Sequence, residues 1–244
     1  MYIQITTLCQ MSCAHCMMNC ARNKHGESMS HETYARAIEL AVNYDEMIVI
    51  GGGEPTIHKN FFDFLDYSLR FQMSGDLQGI FVITNGGFTK KALKLLEYTE
   101  RYDPEAFGCQ LSLDSFHDPI DNQVIDAYKR AGKHFIRSVD EDRLIYMGSA
   151  RENNLPTNNT SEGCSCEDIF ITPEGNLKSC ACEDAEILGN ILEMSDEQYD
   201  EFRDTYSEIR DELEEGDVCH AYLTEDHYER LRTACQPQEV PMAA

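Results

Sequence analysis

Cys9, Cys13 and Cys16 form a CxxxCxxC run close to the start of the chain. Thiolates are the usual ligands of a four-iron, four-sulfur cube, which needs four of them. A three-cysteine loop closes most compactly on three irons and leaves the fourth open to a small molecule. The alternative is a zinc knuckle completed by Cys20 or His15. A second group of cysteines lies late in the chain: Cys164, Cys166, Cys180, Cys182, Cys219 and Cys235. The total of eleven is odd, so the cysteines cannot all pair as disulfides. Without a recognisable secretion signal, clustered cysteines point to metal binding in a reducing compartment.

These residues need a scaffold, and the first half of the chain supplies an alternating one. Residues 2–7, 46–50, 79–84, 107–113 and 134–139 read as strands. Between them, helices are expected from Ser30 to about Asn43, from Phe61 to Gln72, from Thr89 to Thr99 and from Asp121 to Ala131. Ser30 is a natural N-cap, and Tyr34, Ala37, Ile38 and Ala41 share one apolar face. Repeated strand–helix units imply a parallel sheet with right-handed crossovers. In such sheets the chemistry gathers at the carboxyl ends of the strands. Each of the first four strands delivers a polar or glycine-rich motif there: the cysteine loop, Gly51-Gly52-Gly53-Glu54-Pro55, Thr84-Asn85-Gly86-Gly87, and Ser112-Leu113-Asp114-Ser115-Phe116-His117-Asp118.

The alternation stops near Gly148. Residues 148–163 are polar and read as a loop or linker. A hairpin follows, with Pro173-Glu174-Gly175-Asn176 as its turn and a cysteine pair on each side. Residues 195–215 read as an acidic helix. The fold class expected is α/β: a partial (β/α)6-type barrel over residues 1–150, then a small α+β extension with a β-hairpin over 151–244.

Composition narrows the function classes. Of 244 residues, 44 are acidic and 20 basic, a net charge of −24 that opposes bulk nucleic-acid binding. A base flipped into a pocket is still compatible with that charge. No apolar run is long enough to span a membrane, and the expected location is the cytoplasm.

The cysteine run after the first strand, Gly52-Gly53-Glu54 after the second and Thr84-Asn85-Gly86 after the third resemble, in order and spacing, the radical S-adenosylmethionine (SAM) superfamily. The resemblance covers about residues 1–150. It implies a [4Fe–4S] cluster on Cys9, Cys13 and Cys16, with SAM chelated to the open iron. It also implies reductive cleavage of SAM, a 5′-deoxyadenosyl radical, hydrogen abstraction from a substrate, and sensitivity to oxygen. In the family the residue before the last cysteine, here His15, lies near the adenine. The Gly52-Gly53-Glu54 turn binds the methionine amino group, and Ser112 and Asp114 match a site that contacts the ribose or the methionine carboxylate. The family's GxIxGxxE pattern is not evident around Ile145 to Gly148. His117 and Asp118, just beyond Asp114, are candidates to touch substrate or shuttle a proton, or else to order a loop.

The stretch from Cys166 to Ile191 resembles the Twitch and SPASM extensions of that family. This implies an auxiliary [4Fe–4S] cluster, with Cys166, Cys180, Cys182 and Cys219 as ligands. A zinc site, buried unligated cysteines or a redox disulfide are the alternatives. Substrates implied are an amino-acid-like group, a peptide side chain or a modified nucleoside or base. Isomerisation, oxidation or bond formation would follow, with electrons from a donor such as flavodoxin or ferredoxin. The competing class is an iron–sulfur electron carrier or metal-binding protein without SAM chemistry, which would need neither glycine turn.

Overall fold

The computed structural model describes residues 1–20, 25–44, 47–103, 105–131, 144, 147–155, 169–213 and 223–236, and the backbone of 136–137. Five strands open the fold: β1 (Tyr2–Gln4), β2 (Met47–Gly51), β3 (Gly79–Thr84), β4 (Phe107–Ser112) and β5 (Ile136–Arg137). Helices α1 (His31–Asn43), α2 (Phe61–Ser74), α3 (Thr89–Thr99) and α4 (Asn122–Ala131) alternate with them. Later come a short helix α5 (Gly148–Glu152), strands β6 (Phe170–Ile171), β7 (Asn176–Lys178) and β8 (Ile187–Asn190), and helices α6 (Asp196–Glu212) and α7 (Glu225–Ala234).

All eight strands belong to one sheet, in the order β5-β4-β3-β2-β1-β6-β7-β8. Among the described residues the run from β5 to β6 is parallel throughout, an unclosed barrel of six parallel strands that β7 and β8 continue beyond β6. The hairpin expected after residue 163 therefore does more than follow the barrel. Its first strand, β6, pairs in parallel with the free edge of β1 (Tyr2↔Phe170, Ile3↔Ile171), and β7 and β8 continue antiparallel. The turn at 173–176 lies as expected, with Gly175 at φ +86°.

The core follows from the helix faces. Ser30 caps α1 by accepting from Thr33 N at 3.0 Å, and Tyr34, Ala37, Ile38 and Ala41 are buried as the periodicity requires. Tyr34 stacks flat on Phe64 of α2, with centroids 4.1 Å apart, and shares a 2.6 Å hydrogen bond with Ser68. The buried hydroxyl thus finds a partner, so the ring is buried without leaving a polar atom unpaired. Ser195 forms a full capping box with Gln198 at the start of α6. Tyr199, Phe202, Tyr206 and Ile209 turn inward there, which leaves the acids of that helix on its outer face.

Residues 148–152 differ from the loop expected of them. They form one short helix whose start is stitched to the cysteine loop: Ser149 N donates to Cys16 O at 2.9 Å, and Ser149 Oγ to Asn19 Oδ1 at 2.9 Å. Five residues are too few to show periodicity, so only this tertiary contact sets their conformation. Residues 156–163 lie outside the described part. Phe64→Ala should lower the unfolding free energy of the apoprotein by about 3–5 kcal/mol, because it removes the ring on which Tyr34 stacks. Urea denaturation followed by circular dichroism measures this.

Candidate active site

The carboxyl ends of β1 to β4 meet around one cavity. Cys9, Cys13, His15, Cys16, Met17 and Met18 line it from the loop after β1. Gly52 and Gly53 line it after β2, Thr84 and Asn85 at the end of β3, and Ser112, Asp114 and His117 at and beyond the end of β4. Tyr2, Ile83 and Leu144 complete the wall, and none of the three stood out from the sequence as a site residue. Tyr2 stacks on Phe170 of β6 at 5.2 Å, a contact that exists only because the hairpin joins β1.

The glycines of the second turn have a reason beyond ligand access. A Cβ on Gly53 would come within 2.4 Å of Leu8 O, and one on Gly52 within 2.5 Å of Thr6 O. The turn lies against the chain leading into Cys9, with Gly53 N donating to Thr6 O and Glu54 N to Leu8 O, both at 2.8 Å. Glu54 is fully buried. Its carboxylate accepts from Thr56 N (3.1 Å), Thr56 Oγ1 (2.5 Å), Thr84 Oγ1 (2.8 Å) and Asn85 N (2.7 Å). Burial pushes its pKa up, while these donors pull the other way. The Glu54 side chain is thus engaged in joining the second turn to the third, and the cavity wall at this turn is made by Gly52 and Gly53.

The three cysteine sulfurs form an all-thiol donor set. Burial raises the Cys9 pKa to about 11 and the Cys13 pKa to about 12, and neighbouring sulfurs and carboxylates add to both. Cys16 is held below the ordinary thiol value by hydrogen bonds from the Cys20 thiol and from nearby backbone N–H groups. Raised thiol pKa values of this origin are what a bound cation reverses. Cys20 is buried beneath the loop, where Gln4 Nε2 donates to its sulfur at 3.6 Å, and it does not line the cavity.

Across the cavity, Asp114 engages two imidazoles. His117 Nδ1 lies 2.7 Å from Oδ1, and His15 Nε2 lies 3.6 Å from Oδ2. Phe116 N also donates to Oδ1 at 2.9 Å. Burial works to raise the Asp114 pKa, but the hydrogen bonds from His117 and Phe116 and the charges of both histidines outweigh it and hold it below the usual carboxylate value. With Asp114 ionised, His117 Nδ1–H is the donor, and in the neutral form of the ring Nε2 is the acceptor. His15 also packs against Phe116, with centroids 4.8 Å apart. Asp118 accepts from Ser12 N at 3.3 Å and so ties the β4 loop to the cysteine loop, outside the cavity wall.

Cys180 and Cys182 are both fully buried, packed with Met147 and Ala185 and flanked by Met17. Lys178, itself buried, donates from Nζ to Cys182 O at 2.6 Å. Cys164, Cys166 and Cys219 lie outside the described residues. Cys109 and Cys235 belong to the hydrophobic core.

With that arrangement in place, comparison with known proteins decides the family. The profile described as "Radical SAM superfamily" matches residues 3–154. The chain belongs to this superfamily. The family implies a [4Fe–4S] cluster and SAM. Among curated proteins it is similar to the mycofactocin maturase MftC of Mycobacterium tuberculosis, 28% identical over 122 residues, which is 50% of this chain and 29% of the relative. The same maturase from Mycobacterium ulcerans is 28% identical over 83 residues, 34% of this chain and 21% of that relative. The chain thus matches less than a third of the length of these relatives. Among solved structures, the fold is similar to BtrN in complex with AdoMet and 2-DOIA, with a TM-score of 0.58 and 18% identity, covering 90% of this chain and 91% of the other. It is also similar to anSMEcpe with bound AdoMet, with a TM-score of 0.54 and 15% identity, covering 80% and 78%. No helix among the described residues is long and apolar enough to cross a membrane.

Gly148 is the residue that motif reading missed. It has φ +47°, and a Cβ there would lie 2.4 Å from Cys16 O and 2.6 Å from Met17 O. Its signal in the sequence is only a glycine ahead of a short polar run. Gly148→Ala and Gly53→Ala should each cut bound iron after reconstitution several-fold while leaving the far-ultraviolet spectrum unchanged. Iron assay beside circular dichroism tests both.

Proposed function

We propose that Cys9, Cys13 and Cys16 ligate the [4Fe–4S] cluster and that SAM occupies the cavity beside them. The observation that carries this reading is the convergence of the three thiols with Gly52, Gly53, Thr84, Asn85, Ser112 and Asp114 on one cavity wall. When bound, the cluster and SAM supply one-electron cleavage of SAM and abstraction of a hydrogen atom from substrate. The chain's own residues place and shield the reactants. Gly52 and Gly53 let the methionine end approach the backbone, and the Gly52-Gly53-Glu54 turn holds its amino group, with the Glu54 side chain serving to brace the turn. Thr84 and Asn85 close the wall beside it, Ser112 and Asp114 face the ribose or carboxylate, and His15 lies against the adenine. His117, with Nε2 as acceptor, takes a proton from substrate. Asp118 positions the cysteine loop through Ser12.

The substrate class we infer is an amino-acid-like group, a peptide side chain or a modified nucleoside or base. A maturase among the similar sequences supports the first two, and a neighbour in complex with 2-DOIA supports a small molecule. An acceptor imidazole favours oxidation, in which the substrate would lose a hydrogen atom to the deoxyadenosyl radical, a proton to His117 and one further electron to a one-electron acceptor such as an oxidised iron–sulfur cluster. A flavodoxin or ferredoxin would deliver the electron. Residues 1–150 carry the SAM chemistry, and 151–244 carry an auxiliary [4Fe–4S] cluster of the Twitch or SPASM kind on Cys166, Cys180, Cys182 and Cys219. The buried pair Cys180 and Cys182, with the Lys178 ammonium beside them to offset thiolate charge, supports this.

Anaerobic reconstitution with iron and sulfide, then SAM and dithionite, should yield 5′-deoxyadenosine. The variant with Cys9, Cys13 and Cys16 all changed to Ala should yield none. An iron-loaded, reducible parent that makes no deoxyadenosine, and whose EPR signal SAM leaves untouched, would sink the reading. Iron content should be about eight per chain and fall to about four in Cys180→Ala/Cys182→Ala. An unchanged content in that variant would remove the auxiliary cluster.

A further inference from the structure

We propose that Asn85 is a hydrogen-bond donor to the Cys9 sulfur, oriented by Gln10 and Gly87, and that this bond helps set the reduction potential of the cluster. The inference rests on the reading that Cys9, Cys13 and Cys16 hold that cluster.

The geometry fixes which end of the Asn85 amide faces the cysteine. Gly87 N can only donate, and it lies 2.9 Å from Oδ1. Gln10 Nε2 reaches the same oxygen at 2.8 Å. The oxygen is thereby committed on one side, so the amino nitrogen must take the other. That nitrogen, Nδ2, lies 3.6 Å from Cys9 Sγ, the separation of an N–H···S hydrogen bond. The residue is 7% exposed, which limits competition from water for the bond. Its backbone is held as well, because Asn85 N donates to the fully buried Glu54 carboxylate at 2.7 Å. Three bonds from three segments therefore aim one amide at one thiol. Backbone N–H groups of Gln10 and Met11 also point at that sulfur, so Asn85 completes a donor set around it.

The consequence is electrostatic. Reduction adds an electron to the cluster and makes its thiolates more basic. A donor on a thiolate sulfur therefore stabilises the reduced state more than the oxidised one, and hydrogen bonds to the sulfurs are among the factors that set cluster potentials. Removing the donor should make the cluster harder to reduce. Asn85 is then a positioning residue toward the metal as well as part of the cavity wall.

The test is a redox titration of the reconstituted holoprotein without SAM, followed by the EPR signal of the reduced cluster and paired with iron analysis. Asn85→Asp keeps the shape and the acceptor for Gly87 and Gln10, but places an oxygen where the donor was. At fixed ambient potential its ratio of reduced to oxidised cluster should fall about tenfold, a downward shift of ~59 mV for a one-electron couple. Gln10→Ala, which loosens the orientation without touching the cavity wall, should move the potential in the same direction by less. An unchanged or raised potential in an iron-replete Asn85→Asp protein would overturn the proposal and leave Asn85 as a SAM contact alone. If Asn85→Asp loses iron, Gln10→Ala decides by the same criterion. Failure of the underlying reading looks different: variants of Cys9, Cys13 and Cys16 would keep their iron.

Discussion

The buried Glu54 carboxylate is the tie on which the site depends. Taking a carboxylate out of water is costly unless its oxygens are hydrogen-bonded. Here four donors from two neighbouring strand ends converge on it. The same residue's N–H reaches back to Leu8 O, just before Cys9. One side chain and its backbone therefore set the relative positions of the first three strand ends. A buried carboxyl group whose oxygens must be satisfied by fixed donors tolerates little displacement, so the turn geometry is held more tightly than apolar packing alone would hold it.

Around this tie the cysteine loop is braced from every side. The second turn meets it through Gly53, the β4 loop through Asp118 and Ser12, and α5 through Gly148 and Ser149. Asn153 adds a bond to Ala14 O at 3.0 Å. A loop that must hold three sulfurs has little secondary structure of its own, so its shape is borrowed from the elements packed on it. This explains why several residues with polar side chains near the cavity face away from it, Glu54 and Asp118 among them. They act on the site by holding its backbone.

The opposite wall has a different character. Asp114 collects two imidazoles and a backbone N–H, and its depressed pKa keeps a negative charge beside the cavity. The hairpin contributes from further away. By pairing β6 with β1 it brings Phe170 against Tyr2, and Cys180 and Cys182 are buried in a small cluster against which Met17 of the cysteine loop packs.

The sequence by itself determined helices α1 to α4 and α6, the parallel sheet implied by alternation, and the rim on which the motifs gather, because local periodicity and right-handed crossovers leave few other arrangements. It also singled out Cys9, Cys13 and Cys16, since their spacing is a local property. Tertiary structure decided what depends on contacts between distant segments. Only the fold could show that β6 extends the parallel sheet, since two residues of strand have no pattern to read. Only the fold could assign Glu54 and Asp118 to bracing and give Gly148 its place, because a side chain's direction depends on what surrounds it. The same holds for the Asn85 amide, whose donor end is chosen by Gly87 and Gln10 and is invisible in the residue's name.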